Sequence, residues 1–277
     1  MFHKPEKCFG VGINYRSECA NEIIEHLSEV DFIEVNTERF FVDENNHQLD
    51  QITREIPVVL HGLTLSIGTE NQLINENYLQ QLERTLTNID CLWFSEHIAM
   101  TQVNDLEIRA LMPVAFTEES INNIVKKAKE ITKISQKPFI LENITYYFPM
   151  PHTHMEEARF ISEIVNQADC GLLLDLNNLY VNAVNHSYDP YQFIDRLPLD
   201  RVVEVHLAGC DYLHGMLVDT HASTVKPEVL ALLEYICRKT LINGVIIERD
   251  DSLDNYADLL QEVKMVRGLL KKYYSLS

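Results

Sequence analysis

The sequence predicts an α/β protein that folds as a TIM-type (β/α)₈ barrel. Eight short apolar or β-branched runs alternate with stretches in which apolar residues recur at helical spacing. The length of 277 residues suits such a barrel, which needs about 250. No glycine-rich turn follows the first run, although a dinucleotide-binding doubly wound sheet would need one there. We therefore expect a single barrel domain over residues 1–277.

The predicted strands are the apolar runs themselves. They are Cys8–Tyr15, Phe32–Asn36, Val58–Gly62, Cys91–His97, Pro138–Asn143, Gly171–Asn178, Val202–Gly209 and Gly244–Asp250. Strands that alternate with helices pair in parallel through right-handed crossovers. Their carboxyl ends therefore meet at one rim of the barrel, which is where TIM barrels place their active sites.

The predicted helices carry apolar stripes with a period of 3.6 residues. The clearest stripes begin at Ile121, Met155, Val229 and Leu253. Three connections that follow strand carboxyl ends are longer than the others, and they are Glu38–Pro57, Met100–Phe116 and Leu179–Pro190. Because such loops build the active sites of TIM barrels, we expect these three to act as lids.

The composition argues against several classes of function. The formal net charge of −19 repels phosphate backbones, so it disfavours nucleic acid and suits a basic peptide or partner protein. The cysteines form no C-x-x-C pair, so we expect reduced thiols and no zinc ribbon. No apolar run reaches about 18 residues, and the N-terminus lacks the apolar stretch of a signal peptide. We therefore expect no membrane span and a cytoplasmic location.

Metal-competent side chains stand at the ends of six consecutive predicted strands. In chain order they are His61, His97, Glu142, Asp175, the pair Glu204 and His206, and Glu248. One such residue alone is typically a hydrogen-bonded structural group, but burying the whole set is costly unless something neutralises it. The only basic residue at these ends is Arg249, and strand alternation points it away from Glu248. The set therefore predicts a cluster of bound cations.

The residue types limit the choice of metal without settling it. Glu204 and His206 are two positions apart and share a strand face. Asp219 and His221 have the same spacing, which lets two side chains bind one ion. All candidate ligands offer nitrogen or oxygen, and this set fits iron, manganese or zinc.

The order of these ligands resembles that of the xylose-isomerase-like TIM barrels, in particular the trinuclear endonuclease IV group. Seven ordered motifs resemble more closely the family once called domain of unknown function 692, now known as the multinuclear non-heme iron-dependent oxidases of the MbnB and TglH type. The motifs span nearly the whole chain. They are Gly-Val-Gly-Ile-Asn-Tyr at 10–15, His61-Gly-Leu-Thr-Leu-Ser-Ile-Gly, Ser95-Glu96-His97, Leu141-Glu142-Asn143, Asp175-Leu-Asn-Asn178-Leu-Tyr-Val-Asn-Ala-Val-Asn185-His186, Glu204-Val-His206-Leu-Ala-Gly209 and Asp219-Thr-His221.

The resemblance implies a role for each matching residue. Glu142 would bridge two irons, the first of which is completed by His61 and His97. The residues that hold the second iron are also those we expect to be catalytic, namely Glu142, Asp175, His206 and Glu248. We expect Glu204 to join the ligand set as well.

The resemblance also implies a third ion, held by Asp219 and His221 with Asn178 nearby. The endonuclease pattern has a histidine at the position of Asn178. An amide is a weaker and neutral ligand, so the third ion would be loosely held, or His186 would replace Asn178 as a ligand.

Members of the resembled family modify cysteine residues of small ribosomally made peptides with O₂, often beside a partner protein that binds the leader segment. The resemblance therefore implies two or three iron ions, a small cysteine-containing peptide as substrate and a leader-binding partner. Two alternatives stay open on the residues alone. The first is a zinc- or manganese-dependent hydrolase or sugar isomerase on the same barrel, and the second is a metal-binding scaffold without activity.

Overall fold

The computed structural model describes residues 2–42, 46–104, 106–250 and 256–276. Its strands are β1 (Gly10–Asn14), β2 (Ile33–Asn36), β3 (Val58–Gly62), β4 (Cys91–His97), β5 (Met100–Val103), β6 (Leu106–Met112), β7 (Phe139–Glu142), β8 (Gly171–Asp175), β9 (Val202–Leu207), β10 (Cys210–Leu213), β11 (Met216–Asp219) and β12 (Gly244–Ile247). Eight of them form a closed parallel barrel in the order β1-β12-β9-β8-β7-β4-β3-β2. The predicted (β/α)₈ barrel is confirmed.

The helices surround this barrel. They are α1 (Ala20–Glu25), α2 (Arg39–Val42), α3 (His47–Glu55), α4 (Glu76–Asn88), α5 (Glu118–Ile134), α6 (Glu157–Ala168), α7 (Leu176–His186), α8 (Pro190–Asp195), α9 (Pro227–Cys237) and α10 (Tyr256–Leu270). Their apolar stripes pack on the outward faces of the strands in the main hydrophobic core. Leu253, where the last predicted stripe begins, lies outside the described residues. No helix in the described ranges has the length and apolar character needed to cross a bilayer.

The connections differ in part from the prediction. The sixth strand ends at Asp175 and not at Asn178, because the Asp175 carboxylate accepts the Asn178 N–H at 2.7 Å and caps α7. The predicted lid Leu179–Pro190 is therefore wrong, since most of it is helical. The connection Met100–Phe116 folds into the antiparallel hairpin β5–β6. The connection Glu38–Pro57 carries α2 and α3, with residues 43–45 outside the described ranges.

The barrel interior consists of two stacked layers, because residues two apart on a strand point to the same side. The lower layer is fully buried and is apolar except for Glu204. Its apolar members are Phe32, Val59, Trp93, Ile140, Leu173 and Ile246. The upper layer lies towards the carboxyl ends of the strands, and it comprises Glu34, His61, Ser95, His97, Glu142, Asp175, His206 and Glu248. Gly244 makes room for the lower layer, since a Cβ there would lie 2.7 Å from the Phe32 ring. The metal-competent side chains therefore stand directly above a packed apolar base.

Candidate metal centre

The upper layer brings most of the predicted site residues together. In three groups, ligand-capable atoms lie within 4.8 Å of one another, and these groups are His61–His97–Glu142, Glu142–Asp175–His206 and Asp175–His221–Glu248. Ligands of one ion lie about 2.1 Å from it, so they are up to about 4.2 Å apart. Each group is therefore compact enough to surround an ion after small adjustments. Glu142 and Asp175 each belong to two groups, so neighbouring ions could share a carboxylate.

The first group has the tightest geometry. The Glu142 Oε2 atom lies 3.5 Å from His61 Nε2 and 3.2 Å from His97 Nε2. The two Nε2 atoms are 3.3 Å apart. Two imidazole nitrogens and one carboxylate oxygen therefore face a common point, which is an arrangement typical of a transition-metal site.

Hydrogen bonds on the far side of each ring hold these two histidines in place. His61 Nδ1 lies 2.7 Å from Ser95 Oγ, and His97 Nδ1 lies 3.2 Å from the Gly62 carbonyl oxygen. Because Nδ1 is engaged in both rings, Nε2 is the nitrogen left for a metal. Metal-binding histidines commonly show this pattern, which fixes the ring orientation and tautomer.

His206 presents its other nitrogen to the site. Its Nε2 lies 2.9 Å from Glu34 Oε2, while its Nδ1 lies 3.2 Å from Glu248 Oε2 and 3.6 Å from Glu142 Oε1. Glu34 thus orients His206 in the way that outer carboxylates orient metal-binding histidines. Sequence reasoning missed Glu34. The available signal was a carboxylate between two apolar residues of a buried strand, Ile33 and Val35.

Several buried polar atoms in this cluster have no hydrogen-bond partner. They are Glu142 Oε2, Asp175 Oδ2 and His206 Nδ1. An unsatisfied buried polar group costs about 1–3 kcal/mol, and more when it is charged. Within the described ranges, the ion-pair contacts of Glu142 and Glu248 are all to histidines, with no lysine or arginine among them. These carboxylate oxygens and imidazole nitrogens are therefore the kind of ligands that a bound cation would satisfy.

The pKa shifts in the cluster also indicate that its carboxylates need a counter-charge. Burial raises the pKa of Glu142 to about 7. Burial and the nearby Glu142 charge raise the pKa of Asp175 well above its usual value. Burial lowers the pKa of His61 well below its usual value, with His97 and His206 adding to the shift. For His97, burial is outweighed by Glu142 and Glu96, and its pKa rises to about 9. A metal would replace these shared protons as the counter-charge.

The part of the site around Asp219 and His221 is more exposed than the rest of the cluster. His221 Nε2 lies 2.8 Å from Asp219 Oδ1, and His221 Nδ1 lies 3.7 Å from Glu248 Oε2. Asp219 is not a member of the three groups, and its Oδ1 also accepts a hydrogen bond from Asn177 Nδ2 at 2.7 Å. His221 therefore stands between the main cluster and Asp219.

Asn178 and His186 lie apart from the groups. Asn178 donates from Nδ2 to the Asn143 carbonyl at 3.1 Å, and its Oδ1 accepts from the Thr145 hydroxyl. His186 stacks on Tyr146 with the ring centroids 4.5 Å apart, and its Nε2 donates to the Tyr146 carbonyl at 2.9 Å. The polar atoms of Asn178 are thus engaged with neighbouring residues, and His186 faces a different cavity.

Glu204 lies one layer below the cluster. Its Oε2 accepts a hydrogen bond from Trp93 Nε1 at 2.8 Å, and with Glu34 and His206 it forms a fourth group of ligand-capable atoms. Burial and the Glu34 charge raise its pKa well above the usual range. Through its hydrogen bond to Trp93, Glu204 contributes to the packing of the barrel base.

The cluster opens into a cavity of about 790 Å³. His61, His97, Glu142, Asp175 and Glu248 line its inner end. Residues of the β5–β6 hairpin line its outer part, namely Thr101, Gln102, Glu107, Arg109, Ala110 and Leu111. A substrate much larger than a single amino acid therefore has room to reach the cluster.

A barrel with a buried histidine–carboxylate cluster beneath an open cavity defines a class of metal-dependent TIM-barrel enzyme. The 3-keto-D-glucoside 4-epimerase of E. coli has a similar fold, with a TM-score of 0.63 and 14% identity over 95% of this chain and 100% of that chain. The D-psicose 3-epimerase of Clostridium cellulolyticum H10 gives a TM-score of 0.59 and 11% identity, over 96% of this chain and 99% of that chain. Both belong to the xylose-isomerase-like TIM barrels, as predicted, and at such identities the likeness shows the fold alone.

The particular family follows from sequence comparison. The family model described as "RiPP precursor modification enzyme MbnB/TglH/ChrH" matches residues 10–271, so the chain belongs to this family of enzymes that modify precursors of ribosomally made peptides. A UPF0276 protein of Caulobacter vibrioides is 34% identical over 273 residues, covering 97% of this chain and 96% of the relative. A UPF0276 protein of Acinetobacter baylyi is 33% identical over 261 residues, covering 93% and 90%. The predicted family is confirmed.

Proposed function

We propose that this protein is an iron-dependent oxidase that uses O₂ to modify a cysteine residue of a ribosomally made peptide. The observation that carries the proposal is the linkage of the ligand groups through shared carboxylates. Glu142 belongs to both the His61–His97 group and the Asp175–His206 group. Such sharing favours two adjacent ions over one isolated ion. The family description supports a peptide precursor as the substrate.

We assign the ligands from the same contacts. His61, His97 and Glu142 would hold one ion, and Glu142, Asp175 and His206 would hold the second. Glu248 would join the second ion, because its Oε2 lies 3.2 Å from His206 Nδ1. Iron at these positions supplies the one-electron chemistry that reaction with O₂ requires, and it lowers the pKa of a substrate thiol. Among the chain's own residues, Ser95, Gly62 and Glu34 fix the rings of the three histidines.

The third ion is assigned differently from the sequence-based expectation. We propose that Asp175, His221 and Glu248 hold it, because their ligand-capable atoms lie within 4.8 Å of one another. Asn178 is left out, since its Oδ1 is already an acceptor for Thr145. His186 is left out because its Nε2 donates to the Tyr146 carbonyl. This third site is more exposed than the first two, so we expect its ion to be the easiest to remove.

The cavity above the metal cluster is the proposed binding site for the peptide substrate. The packed lower layer closes the barrel below the cluster, so a peptide reaches the ions from the cavity side. The net charge of −19 favours a basic substrate segment or a basic partner. As the family resemblance implies, we also propose a separate protein that binds the leader segment of the peptide.

The test combines metal analysis with product analysis. The protein is produced in iron-rich medium together with candidate cysteine-containing precursor peptides, and each peptide is examined by mass spectrometry with and without O₂. We expect bound iron and an O₂-dependent mass change located at a cysteine, absent from a Cys→Ser peptide. Stoichiometric zinc without iron, even from iron-rich medium, would overturn the oxidase proposal and favour a zinc hydrolase instead.

A further inference from the structure

A second cavity, of about 550 Å³, lies beside the first at the start of α6. Its walls are rich in aromatic and thioether side chains, namely Phe116, Tyr146, Met150, Met155, Tyr188 and Phe193. Two ring contacts hold the walls together. Phe116 meets Tyr146 edge to face with centroids 5.8 Å apart, and Tyr188 stacks on Phe193 at 5.8 Å. The proposed oxidase chemistry makes no use of this cavity.

One carboxyl group faces these rings. Glu157 is the first residue of α6, and its Oε2 accepts a hydrogen bond from Tyr146 Oη at 3.2 Å. Burial raises the pKa of Glu157 to about 8, although the hydroxyls of Tyr146 and Tyr188 act in the opposite direction. In the described part of the chain, no lysine, arginine or histidine forms an ion pair with Glu157. Among the described residues, this carboxyl group thus lacks a cationic partner. A cation placed beside it would favour its ionised form, with the proton released to solvent.

The other charged groups of the wall are already engaged. Arg196 pairs with Glu156. Asp189 caps α8 by accepting the Tyr191 N–H at 2.9 Å. Among the described lining residues, Arg196 is the only lysine or arginine. A carboxyl group surrounded by aromatic faces attracts an ammonium or guanidinium group on an apolar stem, because the rings favour the cation and the stem fills apolar space.

The second cavity lies next to the metal-site cavity, on the other side of the segment 145–147. Thr145 and Tyr147 line the metal-site cavity, whereas Tyr146 between them lines the second. Positions two residues apart are separated by at most about 7 Å along the chain. The segment 145–147 is therefore a thin wall between the two cavities. A peptide held in the first cavity that continues past this segment would bring a neighbouring residue to the second cavity.

We propose that the second cavity binds a lysine or arginine side chain of the peptide substrate, with the aliphatic stem among the aromatic rings and the cation beside Glu157. The preference of this cavity for a cationic side chain follows from its own residues. Only the source of the side chain, the peptide, rests on the proposed function. The net charge of −19 is consistent with a basic side chain as the ligand.

The test measures binding to metal-free protein. Nα-acetyl-lysine N-methylamide is titrated by calorimetry and ligand-observed NMR, alongside the norleucine analogue, which lacks only the ammonium group. We expect the lysine compound to bind at least tenfold more tightly, and Glu157→Gln to remove that preference. Glu163→Gln is the matched control, since Glu163 lies on the same helix outside the cavity and pairs with Gln167. It should leave binding unchanged.

Equal affinity for the two compounds, binding of neither, or an unchanged lysine preference in Glu157→Gln would overturn the proposal. The comparison of the two compounds uses the unaltered protein, so it does not depend on the folding of a variant. It also requires neither iron nor turnover. Failure of the oxidase proposal would leave this result intact, while its success should add a raised KM for the peptide in Glu157→Gln with unchanged kcat.

Discussion

The two layers inside the barrel come from the same strands but have opposite chemistry. On β3, β7 and β8, an apolar residue of the lower layer is followed two positions later by a metal-competent residue of the upper layer, as in Ile140 and Glu142. The lower layer is packed and apolar. The upper layer holds polar atoms without hydrogen-bond partners. A strand period of two thus lets one set of strands build a stable base and an unsatisfied site directly above it.

Strand β9 refines this comparison, because it is polar in both layers. Glu204 at the lower level accepts a hydrogen bond from Trp93. His206 in the upper layer has an Nδ1 atom without a hydrogen-bond partner. Glu204 Oε1 lacks a hydrogen-bond partner as well. The two levels of β9 therefore differ in their neighbours, since Glu204 Oε2 has a donor in the barrel base whereas His206 Nδ1 faces the carboxylates of Glu142 and Glu248. Substitutions in the lower layer should change stability, and substitutions in the upper layer should change metal content.

The largest effect is expected for Glu142→Ala. Because one carboxylate serves two ligand groups, its loss should remove both of the first two metals, as measured by elemental analysis of purified protein. Ile140→Val, two positions earlier on β7, is the matched control. It should retain both metals and lower the free energy of unfolding by about 0.5–1.5 kcal/mol. Loss of only one metal from Glu142→Ala would contradict the bridging role.

The next effect concerns the partner of His206. Glu34→Gln removes the charge that orients this ring and favours its metal-binding tautomer, so metal affinity should fall by about 10–100-fold. The measurement is competition with a chelator of known affinity. Glu34→Gln should leave the barrel folded, as judged by circular dichroism. An affinity equal to that of the unaltered protein would show that Glu34 does not position His206.

Glu204 provides the corresponding test in the lower layer. Glu204→Gln keeps an acceptor for Trp93 Nε1, so stability and metal content should both stay close to those of the unaltered protein. Glu204→Leu leaves that N–H without its partner, which should cost about 1–3 kcal/mol of unfolding free energy while metal content persists. Chemical denaturation and elemental analysis measure the two quantities. Metal loss in Glu204→Gln would instead make Glu204 a ligand, as the sequence suggested.

The smallest effect concerns Glu157, a partly buried carboxyl group outside the barrel. The pKa of Glu157 is about 8 when the protein is folded, compared with about 4.3 for an unperturbed glutamate. The folded state thus holds this proton more tightly, so Glu157 reduces stability as the pH rises from about 4.3 to about 8. Glu157→Gln lacks this titration, so its Tm should gain a few degrees relative to the unaltered protein across that window. A difference in Tm independent of pH would contradict the assignment, and Glu163→Gln serves as control.

Much of this architecture could be predicted because strand alternation and strand ends are local features of the sequence. The eight runs gave the barrel, and His61, His97 and Glu142 were marked by their positions at strand ends. Glu34 could not be identified in this way, because its role depends on contact with His206 on a strand distant in sequence. The sequence shows a carboxylate in an apolar strand, but it does not show which partner that carboxylate meets.

The position of His186 was obscured by a competing local interaction. The prediction continued the sixth strand past Asp175 to Asn178, but the Asp175 side chain caps α7 and starts a helix. Eleven residues of helix rise by about 16 Å, so His186 at the other end is carried far from Asp175. Treating Gly171–Asn178 as a strand hid this separation, so the sequence did not show that His186, the proposed substitute for Asn178, lies far from Asp175.

The central claim is that the upper layer surrounds adjacent metal ions that share Glu142. Crystals of protein produced in iron-rich medium, measured on both sides of the iron absorption edge, test it most directly. We expect two anomalous peaks, one among His61, His97 and Glu142 and one among Glu142, Asp175, His206 and Glu248. A map without iron peaks, with the same side chains paired to lysine, arginine or shared protons, would contradict this metal centre.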